Sequence, residues 1–229
     1  MLNIVKITTI LNPLDLIAPH SCRGCGCLGN ALCNRCKKNI LEQRTNVCPN
    51  CKHQNPTGNC PNCPDLPPTY VVDQRSELVG NLIHDLKYHS VRALASPLAE
   101  LLNQTLPSID GSVAIVPLPT TSAHIRARGF DHTTLIAKKF VKLRGSNYQV
   151  TNLLMRNKNS VQVGSDRKTR LSQASSAYEI NTRIPISPDT TYILFDDVWT
   201  TGASLHAAHQ KLQKAGAQKI VFAILALSV

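Results

Sequence analysis

The stretch from Tyr192 to Leu205, YILFDDVWTTGASL, constrains the fold of this chain more than any other. Four apolar residues end at two adjacent acids, Asp196 and Asp197, and a turn of small residues leads into a segment with helical spacing. We predict a buried strand that stops at the acids and a loop that opens a helix. Because a helix start offers unpaired backbone N–H groups and the positive end of the helix dipole, this loop is suited to bind phosphate.

The predicted phosphate loop contains the residues Thr200, Thr201, Gly202, Ala203 and Ser204. The acids one step earlier are suited to hold sugar hydroxyls, directly or through a magnesium ion. Phosphate on the loop and a vicinal diol at the acids together describe a 5-phosphoribosyl group. The spacing alone is equally compatible with an ordinary polar strand end followed by an N-terminal helix turn.

A second strand end is predicted in the middle of the chain. VAIVP, Val113–Pro117, has the pattern of a short buried strand, and PLPTTSAHIRARGFDH after it is predicted as loop and turn. Because ligands in α/β sheets lie beyond the carboxyl ends of parallel strands, we expect both loops to face one pocket. The weaker predictions for the pyrophosphate side of this pocket are Lys87, Pro119, Thr120, Thr121 and Arg128.

The remaining pattern predicts an α/β fold. Strand, helix and strand over Tyr192–Val229 imply a parallel sheet with helices on both faces. Ser76 is predicted to cap a helix that ends near Tyr88, and Pro97 is predicted to break or restart the next helix. Val150–Met155 is predicted as an edge strand. Arg156–Arg170 is predicted as an exposed arm, either one that closes over a charged substrate or a plain loop.

All nine cysteines lie between Cys22 and Cys63, and eight of them form C-x-x-C pairs. Two such pairs complete a tetrahedral zinc site with no open position, so the metal would be structural. Sequential pairing gives two ligand sets, Cys22, Cys25, Cys33 and Cys36, then Cys48, Cys51, Cys60 and Cys63. An interleaved pairing stays open, as does the choice between one and two ions, and Cys27 has no assigned role. An iron–sulfur cluster is the minor alternative.

Three segments are predicted. Residues 1–20 form a short helix that packs on the body, 21–66 a small zinc-ribbon module, and 70–229 the α/β domain, after the proline-rich joint CPDLPPTY. The N-terminal stretch contains Lys6 and Asp15 and has no small-residue cleavage site, so we do not expect a signal peptide. No apolar run reaches the roughly 20 residues that span a bilayer, and we expect a cytoplasmic protein.

The formal charge of +11 is unevenly distributed and is concentrated between Arg126 and Arg170. Such a block attracts polyanions, namely pyrophosphate, phosphoribosyl pyrophosphate (PRPP) or nucleic acid. The candidate polyanion-binding residues are Arg126, Arg156, Lys158, Arg167, Lys168 and Arg170. A solvated basic face without a partner is the alternative, and the few aromatic residues of the block argue against a base-stacking platform.

The order of motifs is similar to that of a known family. The types D-D-x-x-T-T-G-x-S between a strand and a helix resemble the PRPP-binding signature of type I phosphoribosyltransferases. The cysteine pairs, then HDLKYHS, IVPLPTTSAHIRARGFDH, VQVGSDRKTRLSQASSAY and FDDVWTTGASL, resemble the ComF/GntX family over nearly the whole chain. These are competence-associated, phosphoribosyltransferase-like proteins of bacteria.

The resemblance implies a type I phosphoribosyltransferase core with a zinc-ribbon head and a role in natural transformation. It implies transfer of a pentosyl group from PRPP with magnesium, and makes Asp196 and Asp197 the candidate catalytic residues. The expected partners are PRPP or a related phosphoribosyl compound, single-stranded DNA, and another competence protein such as a helicase. The alternative is a non-catalytic protein of the transformation machinery that binds single-stranded DNA, or acts as an adaptor, and keeps the fold.

Overall fold

The computed structural model describes residues 20–44, 46–55, 57–74, 76–157 and 177–228. The predicted N-terminal helix over 1–20 therefore lies outside the described residues, apart from His20. Most of the predicted basic arm also lies outside them, including Lys158, Arg167, Lys168 and Arg170.

The described residues form nine strands and six α-helices. The strands are β1 (His20–Ser21), β2 (Leu28–Gly29), β3 (Thr69–Asp73), β4 (Val113–Pro117), β5 (Tyr148–Val150), β6 (Leu154–Arg156), β7 (Tyr178–Ile180), β8 (Thr191–Trp199) and β9 (Lys219–Leu227). The helices are α1 (Asn34–Glu42), α2 (Glu77–Tyr88), α3 (Ala95–Thr105), α4 (Ser122–Arg128), α5 (His132–Arg144) and α6 (Ala203–Lys214). A single 3₁₀ turn, Arg92–Leu94, precedes α3.

A five-stranded parallel sheet in the order β3-β9-β8-β4-β5 forms the centre of the protein. The predicted parallel sheet with flanking helices is confirmed. Strand β8 is longer than predicted, because it continues through the two acids to Trp199 rather than stopping at Phe195. Its pairing with β9 reaches Trp199↔Leu227, whereas its pairing with β4 ends at Phe195↔Pro117. Pairing with β9 therefore keeps β8 extended after β4 has ended.

Alternate residues of the sheet enter two separate cores. On one face, Ile193 and Phe195 pack with the apolar sides of α2, α3 and α5. On the other face, Tyr192 and Leu194 pack with α6 and with the antiparallel ribbon of β6 and β7. Since successive strand residues point to opposite faces, the continuous apolar run of β8 supplies both cores at once.

The cysteine-rich segment shares both of these cores. Cys22 and Cys36 belong to the core that contains α2 and α3, while Cys48 and Cys60 belong to the core that contains α6. The two halves of the segment therefore lie on opposite faces of the sheet. Helix α1 packs against α3, and the ammonium of Lys37 pairs there with Glu100.

Two predictions about helix starts need correction. Ser76 stands at the start of α2, but its hydroxyl donates to the Asp73 carboxylate at 2.6 Å and makes no capping bond. The segment after β4 was predicted as loop, yet Ser122–Arg128 forms α4. Thr121 caps α4 by accepting from the backbone N–H of His124 at 3.3 Å, and Gly129 ends it in the left-handed conformation.

Two further predictions are wrong in detail. Pro97 does not break α3 but lies in its first turn, where a backbone N–H has no intrahelical partner to lose. The predicted edge strand Val150–Met155 is two strands that belong to different sheets. Strand β5 pairs with β4 at the edge of the main sheet, while β6 pairs with β7. Among the described residues, no helix combines the length and apolar character required to cross a membrane.

The glycine in the interior of α2 provides a test of this helix. Gly80 is exposed, and an added Cβ would meet no atom within 4 Å. Gly80→Ala should raise the free energy of unfolding by about 0.5–1 kcal/mol, because alanine loses less backbone entropy on folding. Urea unfolding, followed by circular dichroism, measures this change. The control is Gly216→Ala, which should instead destabilise, because Gly216 has φ +101 after α6.

Candidate functional site

A cleft of about 220 Å³ opens beyond the carboxyl ends of β4 and β8. It exists because β4 ends at Pro117 while β8 continues beside β9. The last bond between the two segments is donated by Leu118 N–H to the carbonyl of Phe195 at 2.9 Å. Past this bond the chain after β4 turns away, and the side chains of Asp196 and Asp197 line the gap. Such a crevice between diverging strands is the usual ligand position in parallel α/β sheets.

The structure brings many of the predicted site residues to this cleft. Both acids line it, and so do all five residues predicted for the pyrophosphate side, Lys87, Pro119, Thr120, Thr121 and Arg128. Of the predicted phosphate loop only Ser204 lines the cleft, whereas Thr200, Thr201, Gly202 and Ala203 are not among its lining residues. Of the described basic candidates, Arg156 lines the cleft and the exposed Arg126 does not.

Asp197 is the most constrained polar side chain of the cleft. It is 5% exposed, and one carboxylate oxygen accepts from Lys87 Nζ at 2.5 Å and also from His132 Nε2. Burial alone would raise the pKa of Asp197. The hydrogen bond from His132 and the charge of Lys87 outweigh it and hold that pKa well below its usual range. Asp197 is therefore a stable anion that joins α2 and α5 to β8.

Asp196 has the opposite character. It is partly open to the cleft but surrounded by protein, and burial together with the adjacent anion of Asp197 raises the pKa of Asp196 to about 8. Its carboxyl accepts from the backbone N–H of Asp197 at 2.9 Å. Near neutral pH the pair therefore carries close to one negative charge. Asp196 can donate a hydrogen bond into the cleft as well as accept one.

This electrostatic arrangement bears on magnesium. The ammonium of Lys87 lies 2.5 Å from Asp197 and already offsets its charge. Burial and the adjacent anion raise the pKa of Asp196. Asp197 is therefore a poor ligand for a resident divalent cation.

The loop after β4 is held in place from α5. Asp131 caps α5 by accepting from Thr134 N–H at 3.0 Å, and its second oxygen accepts from Thr120 N–H at 3.3 Å. The hydroxyl of Thr133 donates to the carbonyl of Leu118 at 3.1 Å. These bonds place the predicted pyrophosphate loop and His132 on one rigid unit. His132 was missed from the sequence, although its place next to the Arg128–Gly129 turn brings it to the cleft.

The start of α6 depends on a close approach between a glycine and a tryptophan. Gly202 has φ +73, and a Cβ added there would lie 2.2 Å from Cζ2 of Trp199. Trp199 is 3% exposed and fills the space beneath the turn. Only glycine fits this position without strain. The turn therefore leaves the hydroxyl groups of Thr200 and Thr201 exposed and directs Ser204 into the cleft.

Tyr178 closes the cleft beside Ser204. It is 3% exposed, and Arg156 lies over its ring at 5.9 Å. Burial first, and then the charge of Asp196, raise the pKa of Tyr178, against a hydrogen bond with Ser204. Tyr178 was not predicted from the sequence, because the ribbon that carries it has no motif of its own.

The two cysteine groups are candidate metal sites away from the cleft. In the second group the sulfur atoms of Cys48, Cys51, Cys60 and Cys63 all lie within 4.8 Å of one another, as sequential pairing predicts. Four thiols at this spacing fit one tetrahedral metal ion with no open position. The structure describes all nine cysteines as free thiols.

The first cysteine group contains more thiols than a tetrahedral ion needs. The four that lie within 4.8 Å of one another are Cys22, Cys25, Cys27 and Cys33, so Cys27 stands where Cys36 was predicted. Cys36 is 6% exposed, and its thiol still interacts with those of Cys22, Cys25 and Cys33. A Cβ at position 24 would lie 2.7 Å from the sulfur of Cys36, so the turn there has room only for glycine.

Comparison with known proteins does not assign this site. No family model matches the sequence, and no curated protein matches it either. The candidate function therefore depends on the residues and geometry of the cleft and on the order of the sequence motifs.

The surplus thiol leads to a test with cobalt as a spectroscopic probe. We expect Cys27→Ser and Cys36→Ser each to keep the charge-transfer band of two tetrathiolate sites, because either remaining thiol can complete the first set. The double variant keeps only three thiols in the first group, so one of the two tetrathiolate sites should be lost and the band should weaken. A single variant that weakens the band as much as the double variant would show that its cysteine is an obligatory ligand.

The raised pKa of Asp196 leads to a pH-dependent stability prediction. Above an unfolded pKa of about 3.9 the unfolded chain loses this proton, while the folded protein keeps it up to about pH 8. The wild type is therefore progressively destabilised by this group as the pH rises. Asp196→Asn removes the effect and should be more stable at pH 8, by at least the roughly 1.4 kcal/mol of one pKa unit, with a smaller gain at pH 5.

Urea unfolding at several pH values measures this difference. The control is Asp110→Asn, because Asp110 is exposed and lies outside the cleft. A difference between wild type and Asp196→Asn that does not change with pH would contradict the assigned protonation of the acid pair.

Proposed function

We propose that this chain is a phosphoribosyltransferase-like protein of the ComF/GntX family that binds PRPP or a related 5-phosphoribosyl compound. We further propose that it acts in natural transformation, which rests on the order of its sequence motifs. One observation carries the ligand assignment. A helix start, an acid pair and two cationic side chains, Lys87 and Arg128, surround a single cleft at the carboxyl end of a parallel sheet.

The proposed ligand lies across the cleft. Its 5-phosphate binds at the start of α6, where Ser204 and the backbone N–H groups of the first turn attract an anion. Its ribose hydroxyls meet Asp196, which can both donate and accept. Its pyrophosphate faces Lys87, Arg128 and the loop of Thr120 and Thr121. Magnesium would accompany the substrate and would offset the negative charge of its pyrophosphate.

The proposed reaction is transfer of the pentosyl group. A nucleophile forms a bond to ribose C1 while the bond from C1 to the pyrophosphate oxygen breaks, and pyrophosphate leaves with the electron pair. Positive charge develops on the ribose ring, next to the fixed anion of Asp197. Negative charge develops on the leaving group, next to Arg128. Cationic and anionic groups fixed in place before the reaction stabilise such charges without reorganisation.

The two cysteine groups are proposed to hold structural zinc, one ion on each face of the sheet. Four thiolates leave no coordination position for a substrate, so the zinc contributes to folding. The first ion stabilises the segment that packs on α3, and the second stabilises the segment that packs beside α6.

One observation favours a second candidate function, binding of single-stranded DNA by a non-catalytic adaptor of the transformation machinery. Tyr88 is 65% exposed at the rim of the cleft, and the guanidinium of Arg128 lies 5.5 Å from its ring centroid. An exposed aromatic ring beside arginine residues is a common platform for stacking bases of a single strand.

The phosphate site is tested by placing a negative charge at the start of α6. Ser204→Asp should abolish binding of PRPP with magnesium, because its carboxylate occupies the phosphate position. The helix should stay intact, since an acid in the first turn favours the helix dipole. Isothermal titration calorimetry measures the binding. The control is Gln210→Glu, which changes the net charge equally at an exposed position of the same helix.

The same proteins distinguish the two candidate functions. Asp196→Ala together with Asp197→Ala should also abolish PRPP binding. For the adaptor function, Tyr88→Ala should weaken binding of a labelled single strand, and wild-type affinity should fall steeply with salt. If the wild type binds no PRPP under any condition, the phosphoribosyl assignment is wrong. If the wild type also binds no single-stranded DNA, the adaptor assignment is wrong as well.

A further inference from the structure

A buried histidine lies between an anion and a cation at the base of the cleft. His132 is 4% exposed and is the first residue of α5. Its Nε2 lies in hydrogen-bonding contact with the carboxylate of Asp197. Its Nδ1 lies 3.0 Å from Nη1 of Arg128. Both ring nitrogens therefore have a partner from another element.

The chemistry of these partners determines the proton positions on the ring. A guanidinium has only donors, so Nδ1 of His132 must accept from Arg128 and cannot carry a proton in this arrangement. A carboxylate is an acceptor, so Nε2 carries the proton that is donated to Asp197. His132 is thus held as the neutral Nε2–H tautomer, and Arg128 is the residue that keeps Nδ1 unprotonated.

Arg128 is also the cation at the rim of the cleft that an incoming anion would meet. It is partly exposed, whereas His132 below it is buried. An anion with paired oxygens attracts a guanidinium more strongly than a neutral imidazole nitrogen does, because the bonds are charge-assisted and bidentate. Once Arg128 turns to such an anion, Nδ1 of His132 loses its donor and becomes an unpaired buried acceptor.

We propose that Arg128 and His132 couple anion binding in this cleft to uptake of a proton. Arg128 turns from His132 to bind the anion, and a proton from solvent then binds to Nδ1 of His132. The resulting imidazolium lies between the anion and the carboxylate of Asp197. Arg128 is thus a positioning residue for the charge of His132. The inference deepens the proposed function, since it rests on pyrophosphate as the anion.

The groups that face His132 favour a positive charge on its ring only when an anion is bound. Lys87 from α2 and Arg128 from α4 oppose a positive ring, while Asp197 and the weakly acidic Asp196 from β8 favour it. His124, on α4, lines the same cleft and is exposed. Without an anion, the three cations that line the cleft, Lys87, Arg128 and Arg156, outweigh the one full negative charge of Asp197. A bound pyrophosphate reverses this balance and offsets the added proton.

The coupling has a measurable sign. Because binding takes up a proton, pyrophosphate affinity should rise as the pH falls from 8 to 6, by at most about tenfold per pH unit for one proton. Calorimetry of sodium pyrophosphate in two buffers with different ionisation enthalpies measures the number of protons taken up. Pyrophosphate itself also titrates in this range, so the result is read as a difference between wild type and a variant.

The matched variant is His132→Gln. Its amide can donate to Asp197 and accept from Arg128, but it takes up no proton in this pH range. Wild type should take up close to one more proton per pyrophosphate than His132→Gln and should have the steeper pH dependence. The control His84→Gln, at an exposed position outside the cleft lining, should keep the wild-type slope. Equal slopes in wild type and His132→Gln, or no binding of pyrophosphate to wild type, would overturn the proposal.

A second measurement needs no ligand. Long-range ¹H–¹⁵N spectra of the free protein should show His132 as the neutral Nε2–H tautomer at pH 7. In Arg128→Ala, which removes the donor to Nδ1, the same ring should no longer be held in the Nε2–H tautomer alone. A free wild-type protein with a protonated Nδ1 would refute the coupling even if PRPP binds. Failure of PRPP to bind, with pyrophosphate uptake as expected, would refute only the phosphoribosyl assignment.

Discussion

The buried carboxylate of Asp197 is the interaction on which the arrangement of the cleft depends. A charge with 5% exposure is tolerated only when partners replace its water, and here Lys87 and His132 do so. These partners come from α2 and α5, so a single anion joins both helices to the end of β8. Removing one partner would leave an uncompensated charge in the core, so the position of each helix is tied to the ionisation of this acid.

Helix α2 also links the cleft to the first cysteine group. Arg23, between two cysteines of that group, pairs with Asp85 of α2 at 3.0 Å, and Asp85 also bonds His89 at 2.8 Å. Two residues further along α2 from Asp85, Lys87 reaches into the cleft. The second cysteine group packs on the opposite face, against the core that α6 completes. Metal at either group would therefore stabilise an element that carries a cleft residue.

The acid pair illustrates how one motif can supply two different groups. Asp197 is an anion held by donors, whereas burial first, and then the charge of Asp197, raise the pKa of Asp196. The structural cost is a less stable protein at higher pH, and the result is a cleft that offers both a donor and an anion. With the cationic residues at the rim, this combination fits the proposed ligand, which joins hydroxyl groups to phosphate.

Much of the fold and part of the candidate site follow from the sequence alone. The apolar runs of β4, β8 and β9 determine a parallel sheet, and the spacing of Cys48 to Cys63 determines a four-thiol group, because both patterns are local. Tertiary structure alone decided the rest. The length of β8 depends on a strand neighbour, and Cys27 enters the first group through folding of the chain. The pairing of His132 with Asp197 joins residues 65 positions apart. Asp196 and Asp197 are adjacent and alike in sequence, and only their buried neighbours give them opposite protonation.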